Sequence, residues 1–209
     1  MSKPLSALLS QALEENQYSF SSSVQTQFLH YLERLQKWNQ VFNLTALTKP
    51  ADLVYLHILD SLSTLPFLNG KELLDVGTGA GLPGIPLALA DPSKTWVLLD
   101  KSQKKTRFLV QACAELGIKN IRVVCSRSEL FQPEKKFESI ISRALGSLSL
   151  FLETTQHLIS PDGIFLAMKG TYPHQELAEI PATFRVIDVQ KLIIRGLQAE
   201  RHLVRIQQK

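Results

Sequence analysis

The stretch Glu72-Leu73-Leu74-Asp75-Val76-Gly77-Thr78-Gly79-Ala80-Gly81-Leu82-Pro83-Gly84 constrains this chain more than any other. An apolar strand runs into an acidic residue, then into a turn with three alternating glycines, then into a proline-started helix. Glycine permits the sharp reversal, and it lets a ligand approach a backbone with no Cβ. The following helix is expected to present free N–H groups and a positive dipole end to whatever lies over the turn. The dinucleotide fingerprint reads G-x-G-x-x-G, whereas here the run is Gly77-x-Gly79-x-Gly81 and Leu82 stands in the third glycine position. A diphosphate needs that stripped approach. The loop therefore favours an adenosine-type ligand without a diphosphate, with a nicotinamide dinucleotide as the alternative.

Size and charge set outer bounds. The chain has 209 residues, 44% hydrophobic and 20% charged, the profile of a globular protein with one main core. A net charge of +4 permits a polyanionic partner without requiring one. Cys113 and Cys125 lack C-x-x-C spacing, so neither a disulfide framework nor a zinc site is implied, and both are expected to be small buried hydrophobes. No apolar run reaches the ~18 residues of a membrane span. With Glu14 and Glu15 in place of an export signal, a cytoplasmic location is expected.

Residues 1–70 read as helices only. Leu5, Leu8, Leu9, Ala12 and Leu13 recur at helical spacing. Ser22 and Gln25 resemble a capping box opening a longer helix with Val24, Phe28, Tyr31, Leu35, Trp38 and Phe42 in one stripe. A third helix is expected from Ala51 to about Leu65, placing His57 and Asp60 on one turn as a hydrogen-bonded pair. From residue 71 onward, strands and helices alternate. Strands are expected at Leu73–Val76, Trp96–Leu99, Ile121–Cys125, Phe137–Ser142 and Ile164–Met168, with Ser102 capping one helix and Pro161-Asp162-Gly163 forming a turn. Phe184–Ile194 and His202–Ile206 form a terminal antiparallel pair. The expected fold is α/β: a doubly wound, mostly parallel seven-stranded sheet (71–209) with a helical cap (1–70).

Ligands of such sheets sit outside the carboxyl ends of the strands. Those ends carry Asp75 and Gly77 to Leu82, then Asp100, Ser126 to Glu129, Ser142-Arg143, and Lys169-Gly170. Asp100 lies 21 residues after Gly79, close to the ~20 expected of a carboxylate that accepts from ribose hydroxyls. Basic residues form two sets. Lys101, Lys104, Lys105 and Arg107 crowd the start of one helix, and Arg185, Lys191, Arg195, Arg201 and Arg205 belong to the terminal strands.

Several motifs in order carry a family resemblance. Asp75 to Pro86, Trp38-Asn39, Phe42-Asn43-Leu44-Thr45, His57-Ile58-Leu59-Asp60-Ser61, Ser142-Arg143-Ala144, Met168-Lys169-Gly170 and Glu200 to Val204 resemble the bacterial ribosomal RNA small subunit methyltransferase G family, also called glucose-inhibited division protein B. The resemblance implies a class I methyltransferase fold, S-adenosylmethionine as cofactor, and methylation of guanine N7 at position 527 in the 530 loop of 16S ribosomal RNA. It carries cofactor binding to Gly77, Leu82, Ser128, Glu129 and Arg143, beside Asp75, Gly79, Gly81 and Asp100. Ser128-Glu129-Leu130 departs from the family's usual small-residue or second-acid pattern.

Guanine N7 is an in-plane lone pair carrying no proton, so attack on a methyl needs alignment and no general base. The chain agrees: Ser142-Arg143 replaces the Asn/Asp-Pro-Pro-aromatic turn that orients an amine, and neither cysteine has a nucleophile setting. No catalytic residue is assigned, Arg143 being the one candidate, expected to face the cofactor carboxylate or an RNA phosphate. RNA contacts are expected from Asn43, Asp60, Lys101, Lys104, Lys105, Arg107, Lys169 and Arg201. The expected partner is 16S RNA or the small subunit particle, bound by a monomer without metal or membrane. A nicotinamide oxidoreductase and a cofactor-holding assembly protein are the competing readings.

Overall fold

The computed structural model describes residues 4–143 and 145–209; Ala144 of the Ser142-Arg143-Ala144 motif lies outside the described residues. Seven strands form one sheet in the order β3-β2-β1-β4-β5-β7-β6. They are β1 (Glu72–Val76), β2 (Thr95–Asp100), β3 (Ile121–Cys125), β4 (Phe137–Arg143), β5 (Ile159–Lys169), β6 (Phe184–Lys191) and β7 (His202–Gln208). The first five run parallel, and β7 inserts antiparallel between β5 and β6. The chain reverses its build-out between β1 and β4, which are paired neighbours. That reversal is the topological switch point at which such sheets open a crevice.

Alternation along the strands sends side chains to two covered faces. Leu74, Val76, Val97 and Leu99 share one cluster with Phe151 and Leu152 of helix α6 (Leu148–Thr155). On the other face, Leu98 joins Phe108 and Leu109 of α5 (Gln103–Glu115), Ile85 of α4 (Gly84–Ala90), and the cap. The cap consists of α1 (Leu5–Glu15), α2 (Ser22–Phe42) and α3 (50–62). Its Leu9, Phe28, Tyr31 and Leu35 are fully buried in that shared cluster, so cap and sheet bury one continuous apolar surface. Among the described residues, no helix is long and apolar enough to cross a membrane.

Several local expectations are corrected. Ser21, not Ser22, caps α2, its Oγ accepting from Val24 N–H. Ser102 occupies the cap position of α5, but its side chain makes no cap bond; its N–H donates to Asp100 instead. The expected Pro161–Gly163 turn lies inside β5, where the pairing jumps from Phe137↔Ile159 to Ser139↔Ile164 and the extra residues bulge. Cys113 is buried, with burial pushing its thiol up to about 11, whereas Cys125 is exposed at the end of edge strand β3. A short helix, α7 (His174–Ala178), follows β5 where none was expected.

The most consequential departure is in α3. Its middle, Leu53–Leu59, is π-helical, flanked by single α-turns Pro50–Asp52 and Asp60–Leu62. The Asp60 N–H bonds to the Tyr55 carbonyl five residues back. A wider turn no longer stacks residues three apart, so His57 and Asp60 take different partners and the expected pair does not form.

Candidate functional site

The glycine turn is held from behind rather than left open. Gly77 and Thr78 N–H groups donate to the Leu99 carbonyl at 2.8 and 3.2 Å, and Gly79 N–H donates to Asp100 Oδ2 at 2.9 Å. Asp75 is fully buried beneath the turn, where its Oδ2 accepts from Thr78 Oγ1 at 2.7 Å and from Gly84 N–H at 2.8 Å. Burial pushes its carboxyl from 3.8 up to about 6, against the pull of those two donors. Tyr31 of the cap donates its hydroxyl to the Ala80 carbonyl at 2.9 Å, so α2 braces the turn as well.

The start of α4 offers little to a ligand, contrary to expectation. Gly84 N–H is taken by Asp75, Ile85 N–H by the Gly81 carbonyl and Leu87 N–H by the Pro83 carbonyl. Pro86 has no N–H at all. The helix end is thus satisfied internally, which suits a ligand bringing no phosphate to this point.

A large cavity opens along the carboxyl edge of the sheet on each side of the switch point. The first, about 360 Å³, is walled by Gly77 after β1, Asp100 and Lys101 after β2, and Ser126 to Glu129 after β3. Apolar cover comes from Val76, Leu99, Leu145 and Leu150. Gly77 has φ +67°, and a Cβ there would lie 2.7 Å from Leu145 Cδ1, so glycine is required twice over. Asp100 is nearly buried, with Oδ1 accepting from Ser102 N–H at 2.8 Å, Oδ2 accepting from Gly79, and Lys105 Nζ at 3.7 Å. Each carboxylate oxygen has a second lone pair, which leaves the pair of acceptors that a ribose diol needs. Ser128–Leu130 forms a single 3₁₀ turn, in which Ser128 Oγ donates to Glu129 Oε2 at 3.2 Å. The Glu129 carboxyl is held below its usual range, chiefly by its own backbone N–H. Volume, apolar walls and a few placed polar groups fit an adenosine-containing ligand.

Of the residues expected at the cofactor, Gly77, Asp100, Ser128 and Glu129 line this cavity. Asp75 lies behind the turn and Leu82 is in the core, while Gly81 packs toward Ile85 and Leu109. Gly79 turns its α-carbon toward Lys105, 3.9 Å from a Cβ position. Arg143 lines the other cavity. Lys101 and Lys105, expected at RNA, stand in the wall of the first cavity. Leu145, Leu150 and Thr154 complete the wall without a signal in the sequence, because two apolar residues and a threonine bonded to its own helix look like ordinary packing until the fold places them.

The second cavity, about 520 Å³, lies between the cap and the ends of β4, β5 and β7. Asp60, 2% exposed, anchors it: Oδ1 accepts from Arg201 Nε at 3.0 Å and Oδ2 lies 3.4 Å from an Arg143 terminal nitrogen. That Arg143 nitrogen also donates to the Leu56 carbonyl at 2.7 Å. Burial pushes the Asp60 carboxyl up, while Arg143 and Arg201 pull it back. Lys169 completes the cationic wall, donating to the Gly146 carbonyl at 2.8 Å and to Glu176 at 2.7 Å. His57 faces Thr45 Oγ1 at 3.3 Å through Nε2, and its buried Nδ1 finds no hydrogen-bond partner of good geometry among the described residues. Burial and Arg143 hold its pKa down at about 4, so it is neutral at pH 7.

The remaining expected RNA residues are dispersed. Asn43, at φ +50°, borders a separate groove on the cap; Lys104 sits 5.9 Å over the Phe42 ring; Arg107 lies beside Trp38. Much of the terminal basic set is engaged within the protein. Arg195 ties to Glu15 and Asn16 of the cap, Arg185 to Gln207, and Arg205 lies 3.0 Å from Asp188 without hydrogen-bond alignment.

Comparison with known proteins gives the family and the fold. The family model described as rRNA small subunit methyltransferase G matches residues 24–204. The chain is 46% identical over 198 residues to the "Ribosomal RNA small subunit methyltransferase G" of Laribacter hongkongensis, covering 95% of this chain and 96% of that one. It is 50% identical over 177 residues to the protein of the same name from Chromobacterium violaceum, covering 84% and 85%. Among solved structures it resembles the glycopeptide N-methyltransferase MtfA complexed with S-adenosyl-L-methionine, with TM-score 0.63, 13% identity, and 73% and 87% of the chains covered. Ribosomal protein L11 methylase from Lactobacillus delbrueckii subsp. bulgaricus follows with TM-score 0.55, 21% identity, and 72% and 77% covered. At those identities the structural likeness is one of fold.

Proposed function

Because the chain belongs to the rRNA small subunit methyltransferase G family, matched over residues 24–204, we propose that it moves a methyl group from S-adenosylmethionine to guanine N7 at position 527 of 16S ribosomal RNA. The observation that carries this reading is the pair of cavities flanking the β1/β4 switch point. One has adenosine chemistry and the other is a cationic chamber roofed by the cap.

S-adenosylmethionine supplies a methyl already activated on a sulfonium. The protein's work is therefore to orient and to exclude water. Asp100 accepts from the ribose, the Ser128–Glu129 turn borders the adenine, and the braced Gly77 turn places the methionine end beside the second cavity. In-line displacement demands alignment above all, and effective molarities of ~10⁵ M or more are available from it. N7 has no proton to lose, so no wall residue needs to act as a base. The two arginines and Lys169 offset phosphate charge around a base splayed out of its stack, since the A-form major groove is too narrow for protein to enter. Arg143, shared between the Leu56 carbonyl and Asp60, borders the acceptor rather than reading O6 and N7, which would block the reacting atom.

In this reading residues 1–70 form the cap that walls the acceptor site and residues 71–209 the methyltransferase domain. The enzyme acts as a cytoplasmic monomer on the RNA or its particle. The test is incubation with tritiated S-adenosylmethionine and small-subunit particles or 16S RNA, followed by nucleoside mapping. Label in 7-methylguanosine at one position is expected. Label at a pyrimidine or an exocyclic nitrogen, or none, would overturn the proposal.

A further inference from the structure

A third hollow, about 330 Å³, lies between the end of α2 and the start of α3. Four amide side chains border it, those of Gln36, Asn39, Gln40 and Asn43, over an apolar floor that includes Leu35 and Leu53. Asn39 Oδ1 accepts from Thr45 N–H at 2.8 Å, which fixes the loop that closes the groove. Among the described residues, the side-chain amides of Gln36, Gln40 and Asn43 make no hydrogen bond to the rest of the protein. Asn43 holds a left-handed backbone at φ +50°, a conformation uncommon outside glycine and least costly for asparagine.

The groove shares Thr45 and Leu47 with the cationic acceptor cavity. Thr45 Oγ1 contacts His57 of that cavity at 3.3 Å and accepts from Leu47 N–H at 3.1 Å. The two hollows thus share part of one wall. An amide presents a donor and an acceptor side by side, as does the Watson–Crick edge of a base, and an apolar floor covers the base's face. The groove's own border carries no charge, so a phosphate would find no ion pair there. Exposed Lys37 and Lys49 stand next in sequence to the bordering Gln36 and Thr48 and are available to the backbone on either side.

We propose that this amide groove is a second nucleotide subsite, holding the unpaired base of a single-stranded RNA nucleotide close in sequence to the acceptor guanosine. It rests on the rRNA methyltransferase reading given above and would supply register: a base seated here sets which neighbour reaches the acceptor cavity.

The test pairs the Gln36→Ala/Gln40→Ala protein with a 16S RNA fragment carrying the acceptor guanosine, made with an abasic ribose at each flanking position in turn. Binding is followed by fluorescence anisotropy and methyl incorporation by tritium. Loss of one base is expected to weaken wild-type binding about tenfold at one flanking position, the scale of a lost pair of base hydrogen bonds. The double variant should bind the intact fragment about tenfold more weakly and show no further loss at that abasic position, with its S-adenosylmethionine affinity unchanged. Wild-type affinity in the variant, or losses that multiply independently, would overturn the subsite. A wild-type protein that methylates the fragment while showing no such coupling refutes the groove alone; one that methylates no RNA refutes the underlying function.

Discussion

Two buried groups beside the site are set to titrate in opposition, and this gives the sharpest stability test. Burial lifts Asp75 from 3.8 to about 6, so the folded protein keeps a proton there that the unfolded chain has released. Its contribution is full below 3.8 and is lost as the pH rises through about 6. A displacement of that size is worth ~3 kcal/mol. His57 runs the other way. Its pKa falls from 6.5 to about 4, so the unfolded chain takes up a proton that the fold refuses, and stability is lost as the pH falls from 6.5 toward 4. That change is also worth ~3 kcal/mol.

Over pH 4 to 6.5 the two nearly cancel, and replacing one uncovers the other. Asp75→Asn keeps an oxygen to accept from Thr78 and Gly84 and puts an NH₂ where Asp75 Oδ1 has no partner among the described residues. Near pH 4 the variant and wild type should unfold in urea within ~1 kcal/mol of each other, because both are uncharged at this position. At pH 8 the variant should be more stable by ~3 kcal/mol, a rise of about 6–12 °C in Tm. His57→Gln should instead lose stability from pH 4 to about 6 and level off above. An Asp75→Asn difference that is the same at both ends of the range would refute the assignment of a protonated, desolvated carboxyl under the glycine turn.

Further outcomes follow from single contacts. Asp100→Asn should weaken S-adenosylmethionine binding by about 10–100-fold in calorimetry, since an acceptor-only carboxylate gives way to a group that donates on one side. Gly77→Ala, facing both φ +67° and Leu145 at 2.7 Å, should cost ~1–3 kcal/mol in urea unfolding and weaken cofactor binding. Asp60→Asn frees the guanidiniums of Arg143 and Arg201. It should cost about 2 kcal/mol of stability, less than the ~3–5 of a fully buried pair because both arginines keep some exposure. It should also raise KM for RNA with the cofactor Kd unchanged. Arg201→Ala should flatten the slope of RNA affinity against salt by about one counterion in a filter-binding titration.

Much of the architecture is written along the chain itself. Apolar strand runs, their alternation with helices, and the spacing of Gly77, Gly79 and Asp100 are local patterns. Hence the parallel sheet, the terminal antiparallel pair, and the Gly77, Asp100, Ser128 and Glu129 wall were legible from residues alone. What tertiary packing decided was which polar groups face a cavity and which are consumed. Asp75 and the first N–H groups of α4 look ligand-ready in sequence, yet they satisfy one another beneath the turn, because a buried donor left unpaired costs too much. Arg143 and Arg201, 58 residues apart, meet on Asp60 only after a π-helical segment turns that carboxylate away from His57. No periodicity in the sequence marks the segment. Asp60 meets the two guanidiniums only because packing brings α3 against the ends of β4 and β7, which are distant from it in sequence.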